Sequence, residues 1–197
     1  IIREEIFDFK KQKNLVENNI ISILVVGGSQ AAEAFGEKLP IIFEQCLKDK
    51  IELKIYQQCL PDQKKDLKVR YKKLNIEHEV FDFNFDLLKY FSKIDMVITR
   101  AGASMLAELL NCRIPFLSIP LPNSADNHQF KNAYYFKKKG FAYMIEENEI
   151  SNKLFPLIKS IHKDKKLLNQ VVSKQDNHSD KKVFENILSQ VESLIND

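Results

Sequence analysis

The sequence alternates short apolar runs with segments of helical periodicity, and this alternation narrowly limits the fold. The first run, 20–26 (IISILVV), is continuously apolar and rich in β-branched residues, which is typical of a strand buried on both faces. Gly27 and Gly28 end it. The next segment, about 31–48, repeats apolar residues at helical spacing, with Pro40 as its one discordant residue.

The same pattern recurs along the rest of the chain. It predicts further strands at 51–57, 78–83, 95–99, 115–119 and 141–145, and helices at 63–74, 86–93, 104–111, 126–139, 149–162 and 181–195. Strands that alternate with helices form βαβ crossovers and a parallel sheet covered on both faces. We therefore predict an α/β, Rossmann-like, doubly wound fold, with 1–197 as a single domain and 173–180 as a loop before the last helix.

Composition excludes several classes of protein. The 30 Lys and Arg residues exceed the 27 Asp and Glu by only +3 and are interleaved with them, so no nucleic-acid partner is expected. The basic runs at 137–139 and 181–182 are interpreted as solvated helix faces. The 3 cysteines have no zinc-type spacing, which favours a reduced, cytosolic protein.

No apolar run reaches the roughly 18 to 20 residues that cross a bilayer, and no signal peptide is recognised. The chain begins at Ile1 rather than Met. Either residues have been removed from its start or, as we favour, it is a piece of a longer polypeptide.

Four connections are predicted at the carboxyl edge of the sheet, where parallel sheets bind ligands. They are 27–30, 83–86, 100–104 and 120–129. The first, Gly27-Gly28-Ser29-Gln30, fits either a phosphate-binding turn at a helix start or a plain tight turn. It is neither GxGxxG nor GxxxxGK[ST], and no acidic residue ends the second strand, which disfavours a nucleotide-binding oxidoreductase.

The connection 100–104 opens a helix in the same way. Ser104 and Glu108 are four residues apart and so share a helix face. Glu108 either accepts hydrogen bonds from a vicinal diol such as a ribose or complements the helix dipole. Leu106 replaces the second glycine of GxSxG, so this is not a nucleophile elbow.

The connection 120–129 is polar and precedes a helix for which Ser124 or Asp126 is the expected N-cap. Its amides and hydroxyls suit a hydroxyl-rich ligand. By itself, His128 is interpreted as a surface residue rather than a catalyst.

Metal ligands are not expected. Asp82, Asn84 and Asp86 have the spacing of the first EF-hand ligands, but Leu87 and Lys93 stand where Gly and Glu are needed. A DxD motif is also absent. We predict no metal and no cofactor.

Four segments together closely resemble the carboxyl-terminal half of the MurG family of bacterial N-acetylglucosaminyltransferases, in glycosyltransferase family 28. They are ILVVGGSQ at 23–30, FNFDLLKYFSKIDMVITRAGASMLAEL at 83–109, IPFLSIPLP at 114–122 and DNHQFKNAYYFKKKG at 126–140. The resemblance runs from Arg3 to about residue 150. It implies one half of a GT-B fold and an inverting transferase that converts lipid I to lipid II in peptidoglycan synthesis. It also implies a role in cell shape and division and a peripheral place on the inner face of the cell membrane.

The resemblance also implies a donor site for UDP-N-acetylglucosamine (UDP-GlcNAc). Arg3 matches the arginine that closes the inter-domain segment, and Ser29, followed by Gln30, matches the loop near the diphosphate. Asn84 stands where the family's backbone meets the uracil. Glu108 matches the carboxylate that holds the ribose hydroxyls.

Further matches surround the phosphate and the sugar. Ala103, Ser104, Met105 and Leu106 match the family's loop and helix start, and His128 and Gln129 match the contacts to the GlcNAc hydroxyls. The chain departs from the family pattern at Ala31, where a glycine is usual, and at Met105, where a threonine is usual.

Two hypotheses follow from the resemblance. In the first, the chain is the donor-binding half of such an enzyme and is inactive alone, because the acceptor site, the candidate base and the membrane patch lie in the amino-terminal half. In the second, it is a non-catalytic or split-subunit interaction protein that docks on a partner chain supplying the acceptor half.

Overall fold

The computed structural model of the chain describes residues 5–9, 19–28, 32–82, 86–178, 180, 187–189, 191–193 and 195. Its strands are β1 (Ile21–Val26), β2 (Leu53–Gln58), β3 (Glu77–Phe81), β4 (Met96–Thr99), β5 (Phe116–Ser118) and β6 (Tyr143–Met144). Its helices are α1 (Glu5–Asp8), α2 (Ala32–Lys48), α3 (Lys64–Lys73), α4 (Leu88–Phe91), α5 (Ala103–Asn111), α6 (His128–Lys139), α7 (Ile150–Lys163) and α8 (Lys166–Gln175). Short 3₁₀ turns at Ala125–Asn127 and Glu147–Glu149 precede α6 and α7.

The six strands form one parallel sheet in the order β3-β2-β1-β4-β5-β6. This is the strand order of a doubly wound Rossmann-like sheet. It confirms the α/β fold predicted from the alternating pattern.

Burial of β1 on both faces explains its continuous apolar run. Ile21, Ile23 and Val25 pack into the hydrophobic cluster formed with α2, α3 and α7. Leu24 and Val26 point to the opposite cluster, formed with α1, α4, α5 and α6. Because successive side chains of a strand alternate between faces, each face supplies an apolar surface to one helical layer.

The helices differ from the prediction mainly after residue 162. Helix α8 was missed, and it includes 173–175 of the segment expected to be a loop. The buried side chain of Gln175 explains why α8 continues into the segment that was expected to be a loop. Gln175 donates from Nε2 to the carbonyl oxygens of Ile114, at 3.0 Å, and Phe141, at 2.8 Å. Of the expected final helix 181–195, the described residues 187–189, 191–193 and 195 are helical.

Smaller differences lie at the ends of elements. The expected strand 141–145 is reduced to Tyr143–Met144 and the expected helix 86–93 to Leu88–Phe91. Pro40 lies inside α2 without ending it. Among the described residues, no helix has the length and hydrophobicity that a membrane crossing requires.

The three cysteines are free and buried. Burial raises the pKa of Cys46 to about 12 and that of Cys59 to about 11. The thiolate is the reactive form of cysteine, so both side chains are held in their unreactive state near neutral pH.

A Gln175→Ala variant tests the polar anchor of α8. It leaves the carbonyls of Ile114 and Phe141 without this donor, so we expect the free energy of unfolding to fall by about 2–3 kcal/mol. Gln170→Ala, on the exposed part of the same helix, is the matched control and should change it by less than about 0.5 kcal/mol. Equal values for the two variants in urea unfolding would contradict the anchor.

Thiol labelling tests the burial of the cysteines. At pH 8, a disulfide reagent such as DTNB should react slowly with the folded chain and rapidly with three thiols in guanidinium chloride. Since the pKa values of the Cys46 and Cys59 thiols are raised to about 12 and about 11, a change from pH 8 to pH 9.5 should raise their thiolate fractions, and with them their labelling rates, about 30-fold. Labelling of glutathione, a free thiol with a pKa of about 8.5, should accelerate only about fourfold, because most of it is already ionised at pH 9.5. Rapid labelling of one thiol in the folded state at pH 8 would refute the prediction.

Candidate functional site

The candidate site lies where the direction in which successive strands are added to the sheet reverses. Strands β1 and β4 are neighbours, but the chain leaves β1 towards β2 and leaves β4 towards β5. The connections after β1 and β4 therefore diverge at the carboxyl edge, the position at which such sheets bind ligands.

Each of these two connections carries a glycine that faces open space. Gly28 has a positive φ of 68°, and a Cβ added there would meet nothing within 4 Å. Gly102 also has open space around it, but its backbone is extended, with φ −68° and ψ 132°. The main chain at both positions is thus accessible to a ligand, and only Gly28 requires glycine for its conformation.

Helix α5 directs its first turn to this edge. Gly102 is its N-cap residue, and the first helical bond runs from the Leu106 amide to the Gly102 carbonyl at 3.1 Å. The amides of 103–105 therefore precede the helical ladder and present donors, together with the positive end of the helix dipole, to an anion.

The side chains of α5 divide between solvent and core. Ser104 is exposed, Met105 and Glu108 are partly buried, and Leu106 is fully buried in the core. The side chain of Leu106 therefore cannot contact a ligand in this structure. Glu108 is the sixth residue of α5, and the first turn contains no acid. Its position is too far along the helix for the dipole role considered above, since that effect is confined to the first turn.

Gln129, at the start of α6, joins two connections of the site. Its Oε1 accepts hydrogen bonds from the amides of Ala101, at 3.2 Å, and Leu121, at 3.1 Å. From the next turn of α6, Asn132 donates to the Ala101 carbonyl at 3.1 Å. The peptide groups on either side of Ala101 are thus held by α6, and the side-chain carbonyl of Gln129 is already engaged.

The connection before α6 differs in part from its expected capping. Ser124 Oγ accepts a hydrogen bond from the Gln129 amide at 3.2 Å, so Ser124 serves the first turn of α6. Asp126 is not the cap. It lies within the 3₁₀ turn with φ 48°. His128 is exposed, as expected, with Nδ1 2.8 Å from the Ala125 carbonyl.

Sequence reasoning missed the role of Arg100, which directly follows β4. Its side chain is only 6% exposed, and its Nη2 forms an ion pair with Glu147. Nη1 donates to the carbonyls of Ile119 and Pro120, both at 3.3 Å. No spacing rule connects positions 100 and 147, so the sequence contained no signal for this pair.

A cleft of about 420 Å³ adjoins these residues. Pro120, Leu121 and Phe130 supply apolar walls, and Glu147 also lines it. Among the described residues, no group of three or more His, Cys, Asp and Glu side chains is arranged to hold a metal ion.

The structure brings together the described members of the expected site. Ala103, Ser104, Met105, Leu106 and Glu108 lie on α5, and His128 and Gln129 begin α6, which contacts the α5 connection through Ala101. Arg3, Ser29, Gln30 and Asn84 lie outside the described residues, and their roles stay predictions.

Comparison with known families identifies the domain. The family model for the glycosyltransferase family 28 C-terminal domain matches residues 22–188 of this chain. The chain belongs to glycosyltransferase family 28. The resemblance found in the sequence is thereby confirmed.

Two curated relatives carry the name UDP-N-acetylglucosamine–N-acetylmuramyl-(pentapeptide) pyrophosphoryl-undecaprenol N-acetylglucosamine transferase. The relative from Pelagibacter ubique is 38% identical over 180 residues, which cover 90% of this chain and 50% of that protein. The relative from Rickettsia felis is 36% identical over 151 residues, covering 76% of this chain and 41% of that protein. The chain thus spans about half the length of these relatives.

Solved structures agree with the family. Acinetobacter baumannii MurG aligns with a TM-score of 0.76 and 25% identity over 98% of this chain and 53% of that one. S. aureus MnaA, solved with UDP, aligns with a TM-score of 0.64 over 90% of this chain and 47% of that one, but at 14% identity it shows a shared fold alone.

Alanine substitutions at the two site glycines should differ in effect. Gly28→Ala places a Cβ at φ 68°, so we expect the free energy of unfolding to fall by about 1–2 kcal/mol. Gly102→Ala introduces no strain at φ −68°, and the loss of a favourable N-cap glycine is offset by lower unfolded-state entropy, so a change within about 0.5 kcal/mol is expected. A larger loss for Gly102→Ala in urea unfolding would contradict this assignment of strain.

Proposed function

We propose that this chain is the donor-binding half of an inverting N-acetylglucosaminyltransferase that converts lipid I to lipid II. One observation carries the proposal. In a family 28 domain, at the edge where the connections after β1 and β4 diverge, Gly102 faces open space and leads directly into the start of α5. Glu108 lies one helical turn beyond Ser104 on the same helix. The names of the relatives, which describe transfer of N-acetylglucosamine, supply the substrate class.

In this proposal UDP-GlcNAc lies along the carboxyl edge of the sheet. The amides at the start of α5, with those around Ser29 and Gln30, bind the diphosphate, since helix N-termini suit anions. Glu108 accepts hydrogen bonds from the ribose hydroxyls, and the backbone at Asn84 meets the uracil. Arg3 closes the site from the inter-domain segment.

The sugar is assigned to the start of α6. Because the Gln129 carbonyl is engaged by the amides of Ala101 and Leu121, its side-chain NH₂ group is the part proposed to contact the GlcNAc hydroxyls. His128 is exposed beside it and serves the same hydroxyls. Met105 offers no hydroxyl to the sugar, in contrast to the threonine usual at that position of the family.

Transfer is proposed to be a direct displacement. The acceptor hydroxyl attacks the anomeric carbon from the side opposite UDP, the bond to UDP breaks, and the configuration inverts. Amides at the helix starts stabilise the negative charge that develops on the departing UDP. The base and the lipid acceptor site are assigned to the half of the relatives that this chain does not match.

We further propose that the chain binds UDP by itself but transfers nothing until joined to an acceptor half, either in one polypeptide or as a partner chain. The complete enzyme would lie peripherally on the inner face of the bacterial membrane, where its lipid acceptor is found. No metal or cofactor is assigned to the reaction.

A ligand comparison tests the role of Glu108. The wild-type chain should bind UDP more tightly than 2′-deoxy-UDP in calorimetry, because a hydrogen bond to a carboxylate contributes about 1.5–3 kcal/mol. Glu108→Ala should weaken UDP binding about tenfold or more and remove the preference over the deoxy ligand. Glu52→Ala, at the opposite edge of the sheet just before β2, is the control and should bind both ligands as wild type does.

Two results would oppose the proposal in different ways. No binding of UDP to the wild-type chain at millimolar concentration would remove the donor site altogether. Tight UDP binding with an unchanged deoxy preference in Glu108→Ala would leave the donor site in place but reassign the ribose contact.

A further inference from the structure

Arg100 is a buried cation placed directly before the connection that opens α5. Its guanidinium lies over the Phe35 ring of α2, with Cζ 4.5 Å from the ring centroid. The same group donates to the backbone of the β5–α6 connection, at the carbonyls of Ile119 and Pro120. A guanidinium buried in this way needs a counter-charge, because burial removes the water that would otherwise solvate it.

Glu147 supplies that counter-charge from the connection after β6. Its Oε2 pairs with Arg100 Nη2, and its Oε1 lies 3.6 Å from Lys38 Nζ of α2. Lys38 also approaches the Glu147 carbonyl at 3.4 Å. The Glu147 side chain is 19% exposed, so the pair with Arg100 is only weakly screened by solvent.

These contacts join three connections at one edge of the sheet. The 100–102 connection, the 119–124 connection and the start of the 147–149 turn meet at the Arg100 guanidinium. One residue further on, Ala101 is held by Gln129 through its amide and by Asn132 through its carbonyl. The backbone that leads into Gly102 is therefore fixed from both sides.

We propose that Glu147 is a positioning residue for diphosphate binding: by holding Arg100, it fixes the main chain at Gly102 and Ala103 in the conformation that presents its amides to the ligand. Glu147 does not touch the ligand in this proposal. Arg100 is likewise not a phosphate ligand, since its guanidinium is directed to Glu147 and to the β5–α6 backbone.

The physical reason is preorganisation. An amide donor binds an anion well only when its direction is set before the ligand arrives. Without the Glu147 charge, the Arg100 guanidinium loses its ionic partner among the residues that the structure describes, and the cost of a buried unpaired charge favours its movement towards solvent or towards another acceptor. Either movement shifts Arg100 itself, and Arg100 directly precedes Ala101 in the chain. The inference rests on the proposed donor site.

The test is to titrate the ¹⁵N-labelled chain with UDP and, separately, with uridine, and to monitor its amide resonances by two-dimensional NMR. Glu147→Gln keeps the size of the side chain and removes its charge. We expect it to weaken UDP binding about tenfold, the lower end of the effect of losing an outer partner in well-studied metal sites. The amide resonances of Gly102 and Ala103 should shift in the free variant and respond less to UDP.

Uridine separates positioning from general damage to the fold. Uridine lacks the phosphates, so it should bind more weakly than UDP and should not depend on the diphosphate-binding amides. Its affinity should therefore be the same for the wild-type chain and for Glu147→Gln. Glu146→Gln removes the same charge from the neighbouring exposed residue and should bind both ligands as wild type does. Glu147→Asp keeps the charge on a shorter side chain, and its UDP affinity should lie between the wild-type and Gln values.

The outcomes distinguish the positioning role of Glu147 from the proposed donor site on which it rests. If Gly102 and Ala103 of the wild-type chain do not respond to UDP, both the donor site and the positioning role fall. If they respond equally in the wild-type chain and in Glu147→Gln, only the positioning role falls. If Glu147→Gln does not fold, Glu147→Asp decides, and wild-type affinity for UDP in that variant would overturn the proposal.

Discussion

The pairing of β1 with both β2 and β4 is the constraint on which the rest of the structure depends. β1 is hydrogen-bonded on both edges and covered on both faces, so its position is fixed in every direction. The two halves of the sheet are wound outward from it. The divergence of the connections after β1 and β4 is therefore a direct result of this pairing, and the candidate site exists because of that divergence.

A second layer of interactions gives this edge of the sheet a defined surface. Loops at a sheet edge have no ladder of hydrogen bonds of their own, and here buried and half-buried polar side chains supply the missing restraints. Gln129 and Asn132 hold the Ala101 peptide groups, and the Arg100–Glu147 pair ties that connection to two others. Such groups are costly to bury unless they are paired, which makes their arrangement specific. The rigidity of the site comes from these contacts as much as from the sheet.

Local pattern predicted the fold well wherever a segment's burial is uniform. The continuous apolar runs identified the strands, and the helical spacing of Phe35, Leu39 and Phe43 identified α2 across Pro40. One reason why helix α8 was missed is that Gln175, the residue that anchors it, is polar, and a polar residue at that position is equally typical of a loop. A buried glutamine is recognised only when the carbonyls it satisfies are known.

The sequence by itself determined the parallel α/β architecture, the carboxyl-edge placement of the glycine connections and the family, because these follow from periodicity and from motifs of contiguous residues. Tertiary structure alone decided how the edge is held together. Arg100 and Glu147 are 47 residues apart, and only the adjacency of β4, β5 and β6 in the sheet brings their side chains together. The pair is fixed by the order of strands in space, which no local pattern encodes.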